Sequence, residues 1–468
     1  MSLSNEVHIR TRDALIEQLG GDKISLPDSS NTARHLRDFM TAAPASADIV
    51  ALAYPHNTQD VSRILTICND AGIPVVPQGG MTGMAGGGVP VGPSVVLSLE
   101  RMRRIEEVDV DAYTMTVEAG VPLEAVQTTA DAAGLFFPLD IGSRGSCLVG
   151  GNAATNAGGN RVLRFGMMRD LILGVEAVLA DGTIINSLHK MIKNNSGYDL
   201  RQVFIGSEGT LGVITRLVLR LYPKPKSVCT ALCALQDYQG ILRFLGHAKA
   251  ELGSGLTAFE AMWPAFYRLG TEALGRQPPL ATTHGAYVLL EMMGVDAAGD
   301  QARFEAMIGA GVEAGFVEDA VVAQSVREAR ALWAIRDCPG EFPRVYWPQM
   351  GFDVSVSTGE IGSLVEEITR NLLARWPNIQ MVYFGHVADG NLHLSARMPE
   401  GDIPEHDIES VVYATVAERR GSVSAEHGIG LHKRPFLHHS RSPAEMAMMR
   451  SLKAALDPRG TLNPGKIF

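Results

Sequence analysis

Residues 78–90 read Gln78-Gly79-Gly80-Met81-Thr82-Gly83-Met84-Ala85-Gly86-Gly87-Gly88-Val89-Pro90, and six of the ten residues from 79 to 88 are glycine. Such a run bares consecutive main-chain N–H groups and lets the backbone approach a diphosphate closely. Upstream, Ile49–Ala53 reads as a strand. Asn57-Thr58 can cap a helix carrying Val61, Ile64, Leu65 and Cys68 at i, i+3, i+4, i+7 spacing, and Gly72 closes it. Ile73–Pro77 is a second strand that feeds the glycine loop. No Gly-Lys-Ser/Thr follows, so this is no Walker loop. No G-x-G-x-x-G occurs here either, so it is not the Rossmann fingerprint.

A second glycine-rich segment spans Gly142–Gly166 and is built almost wholly from small residues. Small side chains suit a backbone that packs against a flat, extended ligand. A third run, Phe204–Ile214, leads into a strand, and between the two lies a strand ending in the Asp181-Gly182 turn. Tyr222-Pro223-Lys224-Pro225-Lys226 reads as a domain boundary. Beyond it, strands are expected near 229–235, 286–291, 350–357 and 380–385. Helices are expected over 237–252, 300–314, 322–335, 359–375 and 405–418.

The chain has 468 residues, too many for one compact domain. Lys+Arg total 41 against 51 Asp+Glu, a net charge of −10 with no long basic block, which argues against nucleic-acid binding. No run approaches the ~18 consecutive apolar residues of a membrane helix. Met1–Glu6 lacks the cationic start and apolar run of an export signal. The five cysteines form no CxxC pair and read as reduced thiols, so a cytoplasmic protein is expected.

Histidine is unevenly spread: seven of the 13 lie in residues 386–468. In Tyr383-Phe384-Gly385-His386-Val387-Ala388-Asp389-Gly390-Asn391-Leu392-His393, a strand delivers His386, an Asp-Gly turn reverses the chain, and His393 comes back. Ser424-Ala425-Glu426-His427-Gly428-Ile429-Gly430 adds a carboxylate and an imidazole. Two imidazoles and one carboxylate suit zinc or another divalent first-row ion with open positions. The spacing does not match helical HExxH, and ordinary packed or exposed histidines fit the residues as well.

Together these segments resemble the FAD-dependent D-2-hydroxy-acid dehydrogenases of the vanillyl-alcohol-oxidase flavoprotein superfamily. That group includes D-lactate and D-2-hydroxyglutarate dehydrogenases and the glycolate oxidase flavin subunit. The resemblance covers residues 45–468 and rests on five ordered motifs: Pro77–Pro90, Gly142–Gly166, Gly206–Ile214, Gly385–His393 with Ser424–Gly430, and Leu456–Lys466. It implies an α+β fold, with a two-subdomain FAD-binding domain over residues 1–225, N-terminal arm included. An α+β cap domain with an antiparallel sheet would take 226–420, and 421–468 would return to the FAD domain. Pro77, Gly79, Gly80, Thr82 and Gly83 would hold the diphosphate. Gly142, Gly150, Gly151, Asn152, Ala154, Gly158 and Gly159 would line the ribityl and isoalloxazine side. Glu208, Gly209 and Ile214 would hold the adenine end, and Asn463 would return toward the flavin ring. Covalent-flavin relatives carry a histidine in the first loop, where this chain has Met81, so non-covalent FAD is expected.

By the same resemblance, His386, His393 and Glu426 would ligate a divalent metal, with zinc expected. His427 would be the catalytic base and Arg336 would bind the substrate carboxylate. Asn391 could orient a ligand, touch substrate or serve the turn. Relatives that use dicarboxylates carry a lysine where this chain has Gly351 and a threonine where it has Gly340, so the second carboxylate anchor is missing or comes from elsewhere, such as Arg344. That departure leaves D-lactate open beside D-2-hydroxyglutarate. The implied partners are a small D-2-hydroxy acid and an acceptor protein or quinone, with a homodimer possible. One alternative is a flavin subunit of a larger glycolate-oxidase-like electron-transfer complex. Another is a zinc hydrolase, which leaves the glycine loops unexplained.

Overall fold

The computed structural model describes residues 3–28 and 30–468, with side chains from Asn5 onward. The expected N-terminal arm begins at Met1 and Ser2, which lie outside the described residues, and continues as the helix Leu3–Leu19. No helix among the described residues is long and apolar enough to cross a membrane. The chain divides into two compact units. One comprises Met1–Gly158, Met167–Lys224 and Glu426–Phe468; the other comprises Gly159–Gly166 and Pro225–Ala425.

In the first unit, the helix Thr58–Ala71 forms for the reasons its sequence gives. The Asn57 side chain accepts from Asp60 N–H at 3.0 Å, and Gly72 ends the helix at φ +67°. Val61, Ile64, Leu65 and Cys68 form one buried stripe against Val50, Val95, Leu97 and Leu462. The sheet beneath runs in the order Ile24–Ser25, Asp48–Ala53, Pro93–Ser98, Val75–Gln78, the last three strands parallel. The C-terminal segment extends its edge. Val75 N–H donates to Thr461 O, and Asn463 N–H donates to Val75 O, each at 2.8 Å. A second, antiparallel sheet has the order Ile105–Asp109, Thr114–Glu118, Val213–Arg220, Ile172–Val178, Ile184–Ser187.

The second unit is built on a seven-stranded antiparallel sheet. Its order is Asp319–Val322, Ser227–Leu235, Ala286–Gly294, Leu256–Met262, Gln380–Gly385, Asn391–Arg397, Met350–Ser355. Phe259 and Met262, three residues apart on one strand, face opposite sides. Phe259 meets Phe244 of the helix Tyr238–Leu252 at 5.7 Å between ring centroids. Met262 joins Phe266, Tyr287, Leu332, Phe342 and Phe384 in the other core layer. The strand Leu256–Met262 is absent from the sequence-based expectation. The helix expected over 322–335 is Val326–Arg336 instead, because Ser325 caps it and residues 319–322 pair as a strand.

Candidate functional site

The first unit gathers the glycine segments. A Cβ on Gly80 would lie 2.0 Å from Ser146 O, so only glycine allows the first loop to pass the second segment here. The two segments also meet at Gly79 and Gly151, where a Cβ on Gly79 would lie 3.6 Å from Gly151 Cα. Side chains outside the loop fix its path. Gln78 Nε2 donates to Gly88 O at 2.8 Å and to His35 O at 2.9 Å. Asp38 accepts from Gly86 N–H at 2.8 Å and from the amides of Met40 and Thr41. Burial raises the Asp38 carboxyl above its ordinary value despite these donors. Thr82 is half-buried, whereas Gly83 and Gly142 are exposed.

Gly150, Gly151, Asn152 and Ala154 lie in a short helix, Val149–Ala154. Glu208 N–H donates to Ala154 O at 2.8 Å, which ties the third run to the second. The Glu208 carboxylate is committed inside the protein, accepting Ile429 N–H at 2.7 Å and Gly430 N–H at 2.8 Å. Burial raises its carboxyl; those two amides and the ammonium groups of Lys433 and Lys466 oppose the rise. Gly209 packs on Pro77, and Ile214 is buried in the strand opposite Ala177. Asn463 Nδ2 donates to Glu208 O at 2.7 Å and Gly87 O at 2.9 Å. Gly158 closes the first-unit part of the second segment, whereas Gly159 opens a stretch that belongs to the second unit. There Arg161 Nε reaches Glu291 at 3.1 Å and Arg164 donates to Met293 O at 2.8 Å.

These residues fit a flat, polar-edged cofactor. Asn152 Oδ1 and Asn463 Oδ1 are buried without a hydrogen-bond partner. Met81, Asn156, Glu208 and Asn463 all hold positive φ, from 43° to 54°. Backbone strain of this kind persists where a binding site demands it.

The second unit gathers charge. The expected hairpin forms: Gln380–Gly385 and Asn391–Arg397 pair, with Gly390 turning the chain at φ +89°. His393 sits opposite Asp353 in register, with its Nδ1 3.9 Å from Asp353 Oδ1. Asp353 is fully buried. It accepts from Asn391 Nδ2 at 2.9 Å, Ala425 N–H at 3.1 Å and Ser424 Oγ at 3.3 Å. Asn391 thus anchors Asp353, and its own Oδ1 is buried and unpartnered. Ala425 is the last residue of this unit, and Glu426 and His427, which follow it directly in the chain, open the C-terminal stretch of the first. Within this unit, Asp353 and His393 each offer one ligand atom, within 4.8 Å of each other.

His386 stands beside this group, its ring centroid 5.4 Å from that of His393. Its Nδ1 bonds to Glu260 at 2.7 Å and its Nε2 lies 3.4 Å from Arg336 Nη2. Arg336, last residue of its helix, is buried. It donates through Nε to Glu260 at 2.8 Å and lies over the Phe384 ring. Arg344 is exposed and paired with Glu341, and the position of Gly351 is open. Sequence reasoning missed Glu260 as a site residue and used Asp353 only as a position marker. The signal for Glu260 was a lone carboxylate inside the apolar run Leu256-Thr257-Ala258-Phe259-Glu260-Ala261-Met262.

A glycine-lined backbone cradle in one unit and a buried histidine–carboxylate group in the other define a flavoprotein oxidoreductase. The chain belongs to the FAD-linked oxidases: their C-terminal domain family matches residues 224–467, and an FAD binding domain family matches 49–187. It is 38% identical over 454 residues to the mitochondrial D-2-hydroxyglutarate dehydrogenase of Arabidopsis thaliana, covering 97% of this chain and 80% of that one. It is 38% identical over 428 residues to the D-2-hydroxyglutarate dehydrogenase of Xanthomonas citri pv. viticola, covering 90% of this chain and 89% of the relative. Among solved structures, substrate-bound p-cresol methylhydroxylase superposes with a TM-score of 0.80 at 16% identity, covering 100% of this chain and 98% of that one. The fold is the two-domain FAD-binding fold of vanillyl-alcohol-oxidase-type flavoproteins.

Proposed function

We propose that this chain oxidises a D-2-hydroxy acid, of the D-2-hydroxyglutarate or D-lactate type, to the 2-oxo acid. The buried group around His393 and Asp353 carries the reading, and the names of the 38%-identical relatives support the substrate class. FAD, when bound, supplies the hydride acceptor, and a divalent ion, zinc by preference, supplies Lewis acidity at the substrate hydroxyl. Met81 in the first loop favours non-covalent FAD, since a thioether cannot form the histidyl link.

Asp353 has its oxygens taken by Asn391, Ser424 and Ala425, which suits a carboxylate that orients rather than ligates. His386, His393 and Glu426 are then the ligands. His427 accepts the hydroxyl proton, as an imidazole titrates in the useful range. Arg336 binds the substrate carboxylate. Electrons leave to an acceptor protein or a quinone.

The test is an anaerobic titration of the FAD-loaded protein with each D-acid and its L-form. Bleaching of the flavin band by a D-acid alone is expected. Equal bleaching by both forms, or by neither across the 2-hydroxy acids, overturns the reading.

A further inference from the structure

Glu260 lies at the centre of the seven-stranded sheet and is about 1% exposed. A buried carboxylate is costly unless paired and hydrogen-bonded. Here both oxygens are used, and by different side chains. Oε2 accepts from Arg336 Nε at 2.8 Å, and Oε1 meets His386 Nδ1 at 2.7 Å.

The carboxylate that pairs with the guanidinium accepts hydrogen bonds, so at 2.7 Å His386 Nδ1 is the donor and Nε2 is left facing Arg336 Nη2. Metal-ligating histidines are oriented in this way. The same carboxylate takes the Nε–H of Arg336, and the guanidinium rests on Phe384, 4.9 Å from the ring centroid. The terminal amines are therefore turned to the side where His386 Nε2 lies, 3.4 Å from Nη2. A 2-hydroxy acid carries its carboxylate and hydroxyl on adjacent carbons, so it needs an anion clamp and a hydroxyl-polarising group side by side.

The geometry points to Glu260 as a positioning residue that sets Arg336 and His386 in one fixed relation for a 2-hydroxy carboxylate. The inference rests on the functional reading above, in which Arg336 binds the carboxylate and His386 ligates the metal. No contact of Glu260 with substrate is required.

The experiment compares FAD-loaded wild type with Glu260→Gln, Glu260→Asp and Glu291→Gln. Glu291 is a second buried carboxylate of this sheet, paired with Arg161, and serves as the structural control. FAD content, zinc retained after dialysis against EDTA, and KM and kcat for D-2-hydroxyglutarate and D-lactate are measured on each. Glu260→Gln is expected to keep its FAD, to weaken zinc retention about 10–100-fold, and to raise KM about tenfold or more, the loss of a charge-assisted contact. Glu260→Asp keeps the charge but is one methylene shorter, and falls between wild type and Glu260→Gln. Glu291→Gln lowers thermal stability and leaves zinc retention and KM as in the wild type.

Wild-type zinc retention and KM in Glu260→Gln overturn the inference. So does matching damage in Glu291→Gln, or loss of FAD from both Glu260 variants, since either makes the carboxylate merely structural. A wild type that holds no zinc and is not reduced by D-acids breaks the functional reading instead, so the two failures are distinct.

Discussion

The two units are equipped with opposite materials. The first works with main chain: Gly79, Gly80 and Gly151 bring backbones together, and the side chains involved, Gln78, Asp38 and Glu208, hold loops. The second works with side chains: Glu260, Asp353 and His393 are buried on its sheet, with buried Arg336 at a helix end and His386 at the hairpin turn. Main chain suits a cofactor that is the same in every turnover. Fixed charges on a sheet suit a reaction that needs a proton taken and an anion oriented.

If that division of labour holds, damage to the titratable side chains and damage to the glycine cradle should have different signatures. The largest effect is expected for His427→Ala, which should lower the rate of flavin reduction by about 10²–10⁴-fold while FAD stays bound, because the glycine loops are untouched. Rapid-mixing reduction with a D-acid and the FAD content of the same sample check both halves. Gly80→Ala should do the reverse. Its Cβ would meet Ser146 O at 2.0 Å, so bound FAD should be lost and stability fall by about 1–3 kcal/mol or more. Absorbance after gel filtration and denaturant unfolding measure the two losses.

A smaller effect is expected for Asp353→Asn. The amide offers one acceptor oxygen where the carboxylate serves Asn391, Ser424 and Ala425, so a cost of about 1–3 kcal/mol is expected. Zinc retention should fall with it, as the loop before Glu426 loosens. The smallest concerns Lys466 in the first unit, whose ammonium burial depresses from 10.5 to about 8. Between those two values the unfolded chain binds more protons than the folded one, so the Lys466 contribution to stability rises with pH over that window. Lys466→Met should flatten the rise, which melting curves of the FAD-free protein from about pH 7.5 to about pH 11, on either side of the window, would reveal.

How much of this was legible depended on how local each signal is. The helix Thr58–Ala71 carried its own cap, stripe and stop at Asn57, Val61–Cys68 and Gly72, and the hairpin at Asp389-Gly390 carried its own turn. Glycine clusters are also local, and they marked the cradle. The strand Leu256–Met262 was not legible: its Thr-Ala-Phe-Glu-Ala-Met run has few β-branched residues, and pairing with Ala286–Gly294 and Gln380–Gly385 holds it in place. Nor was the assignment of Gly159–Gly166 to the second unit, which depends on Arg161 finding Glu291, 130 positions away. Glu260 was hidden for the same reason. Its partners Arg336 and His386 stand 76 and 126 positions along the chain.

The most direct test of the account is the anaerobic flavin spectrum of wild type and His427→Ala, each titrated with D-2-hydroxyglutarate and with D-lactate. The account predicts that a D-acid bleaches the wild-type flavin, and that the variant stays yellow with its FAD in place. Bleaching of the variant at the wild-type rate, or a wild type that no D-2-hydroxy acid reduces, would contradict it.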